Sequence, residues 1–565
     1  MPIGESMSRE IQKDLPPKYY LDNFNALLGF AEKMYGPLLK ENEREFIDAF
    51  RRLSEDARCL FLRFANRKGL FFRTDKLHYP ELSSLERALD ELLFHQFCTM
   101  PAADHAPMAS LFLQVYSRPE LVQLCKCLNP AEKGISGLKK PEVIELLLSN
   151  NEWDELLEAA GEIAPVVKHN FEQELELLKF LFFGHTGGDM SEFVIRDLGL
   201  VRYEEPEEHQ LVARFNKREE VDELFELSLA YPQFKELREG DSDQLYSWYM
   251  SWSNRRMNWC AQARPLFNRL TLKLARTLER QQQPQWALEV YERTDDAPSR
   301  ERRARLLQKT GAVQEALELC YRMEESPHNA DELFFARDFS SRLLKKKRPK
   351  STTLHLREAE AVAISSDYRY QVEKGVMQHF IKQGQEAMYS ENYLWRSLFG
   401  LVFWDIVFDH EAPVYHSPLQ RVPSDLYLPS FLESRQGAMQ ERLQELDSSG
   451  KLLSYIERVY EEKWGLGNPL LNWHENTLPL LRAVVGNVAP QKLASVLMGM
   501  ARNLKENGRG FPDLFTWTAK DYAFIEVKSP NDTLSAQQLS WLQFFQQHGI
   551  SARVLKVEWV QENEF

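Results

Sequence analysis

The sequence predicts a multidomain, mostly helical protein that ends in a C-terminal α/β domain. A chain of 565 residues is too long to be organised around one hydrophobic core. Apolar residues recur at helical spacing through most of the chain. Near the C-terminus, by contrast, three short stretches alternate apolar and polar side chains, and a helical pattern separates the second from the third. The order strand, strand, helix, strand is typical of an α/β core.

The composition favours packed domains in an intracellular protein. Hydrophobic residues make up 43% of the chain and aromatic residues 12%, which is enough for packed interiors. Residues 1–17 are polar and charged, so no secretory signal is predicted. The longest apolar run, at residues 398–404, is far shorter than the roughly 20 residues that span a bilayer, so no membrane partner is expected. The six cysteines lack the spacing of a zinc finger or a disulfide framework.

Charge is distributed unevenly along the chain. The net charge of −14 opposes phosphate binding by the protein as a whole. Residues 251–350 nevertheless contain 21 Lys and Arg against 13 Asp and Glu, a net charge of +8. The rest of the chain therefore carries a net charge of −22. We interpret this as an acidic body with basic strips that face a polyanion.

Residues 1–115 are predicted to form an N-terminal helical domain, for which DNA binding is one of two interpretations. Towards its end, residues 63–73 interleave basic and aromatic side chains, a composition suited to contacting phosphates and packing on sugars or bases. An amphipathic helix and strand with a solvated basic face would give the same pattern. Arg67 and Lys68 are the candidate contacts.

Residues 116–150 resemble the SAP module, in which two short helices flank an extended loop. The loop has the pattern Gly-x-x-Gly-Leu-Lys-Lys at residues 134–140. Lys139 and Lys140 are expected at the start of the second helix, whose positive end assists phosphate binding. A plain helical hairpin fits this short pattern equally well.

Residues 151–250 are predicted to be a helical, acidic linker region without recognisable chemistry, and residues 251–372 to be TPR-like helical repeats. Residues 287–291 recur as residues 316–320 at an offset of 29, which is shorter than the 34 expected of a TPR.

Basic residues cluster in and after this repeat. Arg302, Arg303 and Arg305 lie between the two copies, and residues 345–350 form a second basic run. An Arg-rich helix that pairs with neighbouring Glu and a solvated loop are the alternative interpretations.

Residues 373–565 are predicted to form the C-terminal α/β domain. One helix is expected to carry Glu386, Glu391 and Tyr393, followed by a buried segment at residues 398–408. The remaining elements are expected in this order: helices within residues 426–501, strands at 508–517 and 523–530, a helix at 535–548 that ends at Gly549, and a strand at 551–560.

Ionic side chains of the two adjacent strands form a candidate metal site. A period of two places Glu526 and Lys528 on one face of the second strand, and Asp513 lies at the mouth of the first. Two carboxylates on rigid strands suit a hard cation such as Mg²⁺, with the Val527 carbonyl as a further ligand. Such an ion polarises a phosphodiester and activates water, and Lys528 can orient that water or neutralise the phosphate. An exposed strand with an ion pair is the alternative.

The flanking residues resemble the VRR-NUC branch of the PD-(D/E)xK nucleases, and within it the Fanconi-associated nuclease family. The resemblance rests on Gly-Arg-Gly-Phe-Pro-Asp ending at Asp513, the step of thirteen residues to Glu526, and the Glu-Val-Lys-Ser-Pro-Asn-Asp that begins there. Gln538 and Trp541 match the following helix. Glu391 matches a family acid that precedes a Leu-Phe-Gly-Leu-x-x-Trp-Asp-Ile run.

The resemblance implies a C-terminal nuclease domain that hydrolyses DNA phosphodiesters with Mg²⁺ or Mn²⁺. It implies that Glu391, Asp513, Glu526 and the Val527 carbonyl hold the metal, that Lys528 positions the attacking water, and that Gln538 supports the site. It further implies a structure-specific enzyme for branched or flapped double-stranded DNA. Such an enzyme cuts near 5′ flaps, has 5′-to-3′ exonuclease activity and repairs interstrand crosslinks.

The resemblance also implies functions for the basic residues. Its helical region supplies a basic pocket for a 5′-terminal phosphate, and Arg302, Arg303 and Arg305 lie in the matching neighbourhood. The family shares the Arg67-Lys68 dipeptide, which favours DNA contact there. Animal members carry an N-terminal ubiquitin-binding zinc finger, and its absence favours a bacterial version located in the cytoplasm at the nucleoid.

Two other functions stay open at this point. Stand-alone VRR-NUC proteins resolve Holliday-type junctions, although the long helical N-terminal portion argues against that role here. A non-catalytic DNA-binding scaffold could use the SAP-like and TPR-like parts alone. The intact Asp513, Glu526 and Lys528 argue against an inactive site.

Overall fold

A computed structural model describes residues 15–67, 69–199, 202–254, 258–345, 349–409 and 411–561, which divide into two compact units. The first unit comprises the described residues up to 199 together with residues 213–225. The second comprises residues 202–212 and 226–561. Among the described helices, none has the length and apolar character needed to cross a membrane.

The first unit is mainly helical. Its helices are α1 (Tyr19–Tyr35), α2 (Glu41–Arg52), α3 (Glu55–Ala65), α4 (Leu85–Phe94), α5 (Ala109–Leu113), α6 (Arg118–Leu128), α7 (Lys140–Asn150), α8 (Trp153–Ile163), α9 (Glu172–Phe183) and α10 (Ser191–Asp197). A buried cluster of phenylalanine rings forms part of its core: Phe24, Phe46, Phe50, Phe61 and Phe97.

A small antiparallel sheet accompanies these helices. Strands β1 (Phe71–Arg73), β2 (Cys98–Thr99) and β3 (Val166–His169) are arranged in the order β1-β3-β2. The helical linker region expected at residues 151–250 therefore contains a strand, β3, that was not predicted. This strand has only four residues and is buried along its whole length, so its pairing with β1 and β2 outweighs the helical pattern around it.

Residues 116–150 form two helices, which both the SAP-like and the plain-hairpin interpretations expect. Helices α6 and α7 pack through Leu121, Leu124, Val143 and Leu147. Helix α7 starts at Lys140 because its first turn is capped: the Lys139 backbone N–H donates to Glu142 Oε2 at 2.6 Å, and a proline occupies an early helical position.

Helix α11 (Arg218–Leu237) includes residues of both units, and the helices that follow form the repeat region of the second unit. They are α12 (Ser242–Ser253), α13 (Arg264–Arg280), α14 (Pro284–Tyr291), α15 (Ser299–Lys309), α16 (Val313–Glu325), α17 (Ala330–Leu343) and α18 (Ser351–Glu358). The repeated alanines of the sequence, Ala287 on α14 and Ala316 on α16, are both fully buried at 0% exposure. The repeat therefore reflects helix pairs in which a small side chain permits close packing.

The rest of the second unit contains a five-stranded mixed sheet. Its strands are β4 (Glu360–Ser365), β5 (Glu386–Tyr389), β6 (Leu514–Trp517), β7 (Tyr522–Lys528) and β8 (Ala552–Val560), in the order β4-β8-β7-β6-β5. Its helices are α19 (Val372–Lys382), α20 (Glu391–Val402), α21 (Trp404–Val407), α22 (Ser430–Glu445), α23 (Ser449–Glu462), α24 (Thr477–Asn487), α25 (Pro490–Ala501), α26 (Leu504–Asn507) and α27 (Ala536–Gln547). Strand β7 pairs antiparallel with β6 and parallel with β8.

The two faces of β7 bury different sets of side chains, as its period of two predicts. Phe524 packs against Trp395 of α20 and Phe545 of α27. Ile525 and Val527 belong to the cluster that includes residues of α19 on the opposite face. The face that carries Phe524 therefore also directs Glu526 and Lys528 towards α27.

Two expectations for the start of this domain differ from the structure. Glu386 does not belong to the helix of Glu391, as was predicted. It begins β5, which pairs antiparallel with β6, and the helix begins only at Glu391. The edge strand is too short for its alternation to be recognised against the neighbouring helical pattern. In addition, β4 joins the sheet at Glu360, ahead of the boundary expected at residue 373.

Candidate active site

The residues just before Asp513 form a tight turn that contacts α27. Gly510 has a φ of +82°, and a Cβ at this position would lie only 2.7 Å from Gln537 Cγ. Glycine is therefore required both by its backbone conformation and by the close helix. Trp541 secures the same turn, because its Nε1–H donates to the Arg509 carbonyl at 3.1 Å and its ring stacks on Phe511 at 4.2 Å.

Helix α20 is anchored to this turn although 122 positions separate the two in sequence. The backbone N–H groups of Ser390 and Glu391 donate to the Asp513 carbonyl at 2.7 and 3.1 Å. Ser390 Oγ also donates to the Pro512 carbonyl at 3.1 Å. These contacts place Glu391, the first residue of α20, beside Asp513.

Glu526 and Lys528 form an ion pair on the α27 face of β7. Lys528 Nζ lies 2.8 Å from Glu526 Oε1, and these residues are 8% and 1% exposed. Gln538 Nε2, from the first turn of α27, donates to the same Glu526 oxygen at 2.5 Å. Glu526 Oε2 is buried, and no described residue forms a hydrogen bond with it. One carboxylate oxygen is thus held in place and the other is free to bind a ligand.

Asp513 is oriented by the neighbouring strand. The Val527 backbone N–H donates to Asp513 Oδ2 at 2.8 Å. The strand that supplies Glu526 and Lys528 therefore also fixes the third functional side chain.

The carboxyl groups of the site have perturbed proton affinities. Burial raises the pKa of Asp513 to about 6, opposed by the Val527 N–H and Lys528, while Glu373 and Glu391 raise it further. Burial and the adjacent Asp513 raise the pKa of Glu526 to about 8. The site gathers more negative charge than Lys528 alone can compensate, which is the electrostatic condition for binding a cation.

The donor set fits a divalent metal ion. Hard cations prefer carboxylate and carbonyl oxygens, and the unpartnered Glu526 Oε2 supplies one such donor in a buried position. Within the described part of the chain, no three His, Cys, Asp or Glu side chains already converge closely enough to hold one ion. Both carboxylate oxygens of Glu391 are engaged by neighbours: Oε2 accepts a hydrogen bond from the Tyr389 hydroxyl and Oε1 accepts one from Asn392 Nδ2 at 2.9 Å.

The three arginines of α15 lie in different surroundings. Arg302 pairs with Glu279, and its Nε donates at 3.0 Å. Arg303 pairs with Asp295 at 2.9 Å. Arg305 pairs with Glu301 at 2.9 Å and lies over the ring of Phe335 at 4.6 Å.

Of these three, Arg305 lines a cavity of about 1260 Å³ in the second unit. Its wall also includes Arg337 and Arg342 of α17, Lys350, and Arg509 from the turn that leads to Asp513. The cavity therefore joins the repeat helices to the approach to the catalytic strands, and Arg302 and Arg303 lie outside its lining.

The remaining predicted DNA contacts are in the first unit. Arg67 is exposed and lies over the ring of Tyr79 at 5.3 Å. Lys68 falls outside the described residues. Lys139 is exposed at the start of α7, and Lys140 Nζ donates to the Gln114 carbonyl at 2.7 Å.

Sequence reasoning missed several groups around the site. Tyr389 and Asn392 hold Glu391, and Asn392 Oδ1 also accepts from the Phe511 N–H at 3.2 Å. Glu373, in the first turn of α19, adds negative charge near Asp513. Asn392 was recognisable as the polar neighbour of Glu391, whereas Tyr389 and Glu373 gave no signal apart from the fold.

Two protein-family models match parts of the chain. The model described as "FAN1, HTH domain" matches residues 18–99, and the model described as "VRR-NUC domain" matches residues 447–559. The second match contains Asp513, Glu526 and Lys528 but not Glu391.

Similar proteins cover nearly the whole chain. A Fanconi-associated nuclease 1 homolog of Pseudomonas aeruginosa is 29% identical over 96% of this chain and 96% of its own. One of Arabidopsis thaliana is 25% identical over 97% of this chain and 68% of its own. A crystal structure of paFAN1 bound to 2nt 5′ flap DNA with a gap matches with a TM-score of 0.82 and 26% identity, covering 97% of this chain and 99% of that one.

Proposed function

We infer that the chain is a member of the Fanconi-associated nuclease family and a structure-specific DNA nuclease acting near 5′ flaps. The observation that carries this conclusion is the convergence of Asp513, Glu526 and Lys528 on two paired strands. The crystal structure of a similar protein with 5′ flap DNA supports the choice of substrate. We further propose 5′-to-3′ exonuclease activity and a role in interstrand crosslink repair, because both accompany the family.

The enzyme depends on a metal ion, which we propose to be Mg²⁺ or Mn²⁺. Glu391, Asp513, Glu526 and the Val527 carbonyl would hold it, since hard oxygen donors suit both ions. When bound, such an ion polarises the scissile phosphodiester and lowers the pKa of a coordinated water.

The protein's own residues prepare the site for hydrolysis. The Val527 N–H holds the Asp513 carboxylate and Gln538 holds the Glu526 carboxylate. Because both side chains are already ordered, they lose little conformational freedom when DNA binds. Lys528 is nearly buried beside Glu526, and its ammonium can hold the attacking water or stabilise charge that develops on the phosphate. The burial of Glu526 and Lys528 and the partial burial of Asp513 strengthen these interactions.

We propose that the cavity next to the site receives a 5′-terminal phosphate. Arg305 is the one predicted arginine of α15 on its wall, which also includes Arg337, Arg342, Lys350 and Arg509. The wall carries six acidic residues as well, namely Glu301, Glu324, Asp331, Glu332, Asp338 and Glu506. The phosphate would therefore bind at the arginines and not to a uniformly positive surface. Guanidinium groups form paired hydrogen bonds with phosphate oxygens. A phosphate held in this cavity would set how far from the 5′ end the chain is cut.

We propose that the helical regions select the shape of the DNA. Arg67, Lys68, Lys139 and Lys140 are the expected backbone contacts in the N-terminal and SAP-like parts, and Arg302 and Arg303 are further candidates in the repeats. Contacts to phosphates fix position without reading sequence. A DNA-repair role in a bacterial cell would place the protein in the cytoplasm at the nucleoid.

The direct test compares DNA shapes and metals. The wild-type protein and Asp513→Ala are incubated with 5′-flap, 3′-flap, four-way-junction and plain duplex DNA in Mg²⁺, Mn²⁺ or EDTA. We expect cutting of the 5′ flap that requires metal and is lost in the variant. Preferential cutting of the four-way junction would favour a resolvase instead. Binding without cutting in every metal would leave a non-catalytic scaffold.

A further inference from the structure

Two helices of the second unit present a continuous basic surface. Along α13, Arg269, Lys273, Arg276 and Arg280 are all exposed, and their spacing of four, three and four residues places them on one side of the helix. Lys235 of α11 and Arg238, which follows its C-terminus, are also exposed. We call this set of six residues the basic face.

The basic face is continuous because α11 and α13 lie side by side and run in the same direction. Lys273 Nζ donates to the Tyr231 hydroxyl, and Gln281 Nε2 donates to the Arg238 carbonyl at 3.3 Å. The two contacts are seven residues apart along α11, from Tyr231 to Arg238, and eight residues apart along α13, from Lys273 to Gln281. The two helices therefore stay side by side over about two turns. Tyr231 lies between Lys235 and Lys273, with ammonium-to-ring distances of 5.1 and 4.5 Å.

The cations of the basic face are poorly neutralised. Among the described residues, Arg269, Lys273, Arg276 and Arg280 form no ion pair. Within the described ranges, Arg238 forms an ion pair only with its exposed neighbour Glu239, at 2.9 Å. The arginines of α15, by contrast, each have a carboxylate partner.

The local electrostatics of the basic face agree with this excess of positive charge. Lys273, with Lys235 and Arg238, holds the pKa of Tyr231 below its ordinary value. A protein with a net charge of −14 has ample carboxylates for surface pairing, yet leaves this surface positive. Such a surface attracts polyanions.

We propose that the basic face binds the phosphate backbone of the DNA substrate. From Arg269 to Arg280 the helix rises about 16 Å, which is the length of about five nucleotides along one strand of B-DNA. A row of cations over that length can contact several phosphates without reading bases. This inference rests on the proposed nuclease function and adds a binding surface outside the catalytic strands and the cavity lined by Arg305.

The salt dependence of binding tests this inference directly. The full chain and a variant with Arg269→Gln, Lys273→Gln, Arg276→Gln and Arg280→Gln are titrated with 5′-flap DNA in EDTA, so that no cutting occurs. Each neutralised phosphate contact contributes about 0.9 to the slope of log K against log salt. We expect the variant to lose about 3 to 4 from that slope. In metal, its KM for cleavage should rise while kcat stays the same.

A control of equal charge change separates specific contacts from the overall charge. The control variant carries Lys309→Gln, Lys382→Gln, Lys451→Gln and Arg458→Gln, all at exposed positions. Equal slopes for the two variants would overturn the proposal, and so would an unchanged slope for the basic-face variant. If the fourfold variant does not fold, Arg276→Gln with Arg280→Gln should lose about 2 from the slope. Either negative result leaves flap cleavage by the wild-type protein intact, so it is distinct from failure of the proposed function.

Discussion

The Val527 backbone N–H donates a hydrogen bond of 2.8 Å to Asp513 Oδ2. One peptide of β7 thus fixes the carboxylate that precedes β6, while the side chains on either side of Val527 form the Glu526–Lys528 ion pair. Because these groups belong to two paired strands, the relative positions of the two carboxylates depend on backbone hydrogen bonds rather than on flexible loops. The Val527 side chain is buried on the opposite face, which prevents a slip of the strand by one residue.

Replacing Asp513 by asparagine tests the electrostatic role of this carboxylate. Asn keeps the size of the side chain but removes its charge, so we expect flap cleavage to fall at least about 100-fold while DNA binding in EDTA is retained. Asp521→Asn, at an exposed position in the turn between β6 and β7, is the matched control and should cut normally. Comparable loss of cleavage in both variants would point to damage of the hairpin instead.

Gln538 is expected to act through Glu526. Its amide holds Glu526 Oε1 at 2.5 Å, and a residue that orients a metal ligand typically contributes about 10-fold to 100-fold to metal affinity or activity. We therefore expect Gln538→Ala to require about 10-fold more Mg²⁺ or Mn²⁺ for half-maximal cleavage, measured by titrating each metal at saturating DNA.

A control is needed because Gln538 also caps α27. Its side chain accepts a hydrogen bond from the Ser535 N–H at 2.9 Å, so the variant also loses about 1 kcal/mol of stability. Ser535→Ala removes part of the cap without touching Glu526 and should leave the metal requirement unchanged. A metal requirement that rises equally in both variants would show that the cap matters and the contact to Glu526 does not.

The stability of the metal-free protein should fall as the pH rises. The pKa values of Asp513 and Glu526 are raised to about 6 and about 8, so the folded state keeps protons that the unfolded state releases. Their contribution to stability is complete below the ordinary carboxyl pKa and is lost as the pH rises through these two values. We expect Tm in EDTA to decrease from about pH 5 to pH 8.

A divalent metal ion should reverse this trend. It replaces the protons, so the increase in Tm on adding Mg²⁺ or Mn²⁺ should grow over the same range of pH. Glu526→Gln removes one titrating group and should flatten the EDTA profile. Glu558→Gln, at an exposed position on the adjacent strand β8, should follow the wild type. A stabilisation by metal that is independent of pH would contradict the assignment of these carboxylates as ligands.

The core of the site was predictable from sequence because it depends on local rules. The period of two along β7 fixed the face shared by Glu526 and Lys528. The strand expected at residues 508–517 begins only at Leu514, because the residues before Asp513 form the turn in which Gly510 has a positive φ. Gln538 and Trp541 were found by resemblance, and the structure supplies their reason, since one holds Glu526 and the other holds the Arg509 carbonyl.

Contacts between distant segments were not predictable in the same way. Glu386 was placed in a helix because its pairing partner Trp517 lies over a hundred residues away, and local propensity contains no information about that pair. The hydrogen bonds from Ser390 and Glu391 to the Asp513 carbonyl are equally non-local. The arginine-rich helix α15 showed where basic charge lies, but not that Arg305 alone of its three predicted arginines lines the cavity.

The position of Arg305 leads to a prediction about the 5′ end of the substrate. If the cavity receives a terminal phosphate, Arg305→Gln and Arg337→Gln should each lower kcat/KM for a 5′-phosphorylated substrate by about 10-fold or more, because a hydrogen bond to a charged group contributes about 1.5 to 3 kcal/mol. A matched substrate with a 5′-hydroxyl group should be cut at the wild-type rate by both variants.

Arg303→Gln is the control on the same helix as Arg305. Arg303 pairs with Asp295 outside the cavity lining, so the preference for the 5′-phosphate should persist in this variant. An equal loss of that preference in all three variants would mean that general positive charge on the repeat helices attracts the substrate. If Arg305→Gln and Arg337→Gln instead weaken cutting of both substrates equally, these arginines contact the DNA backbone, and the terminal phosphate must bind elsewhere.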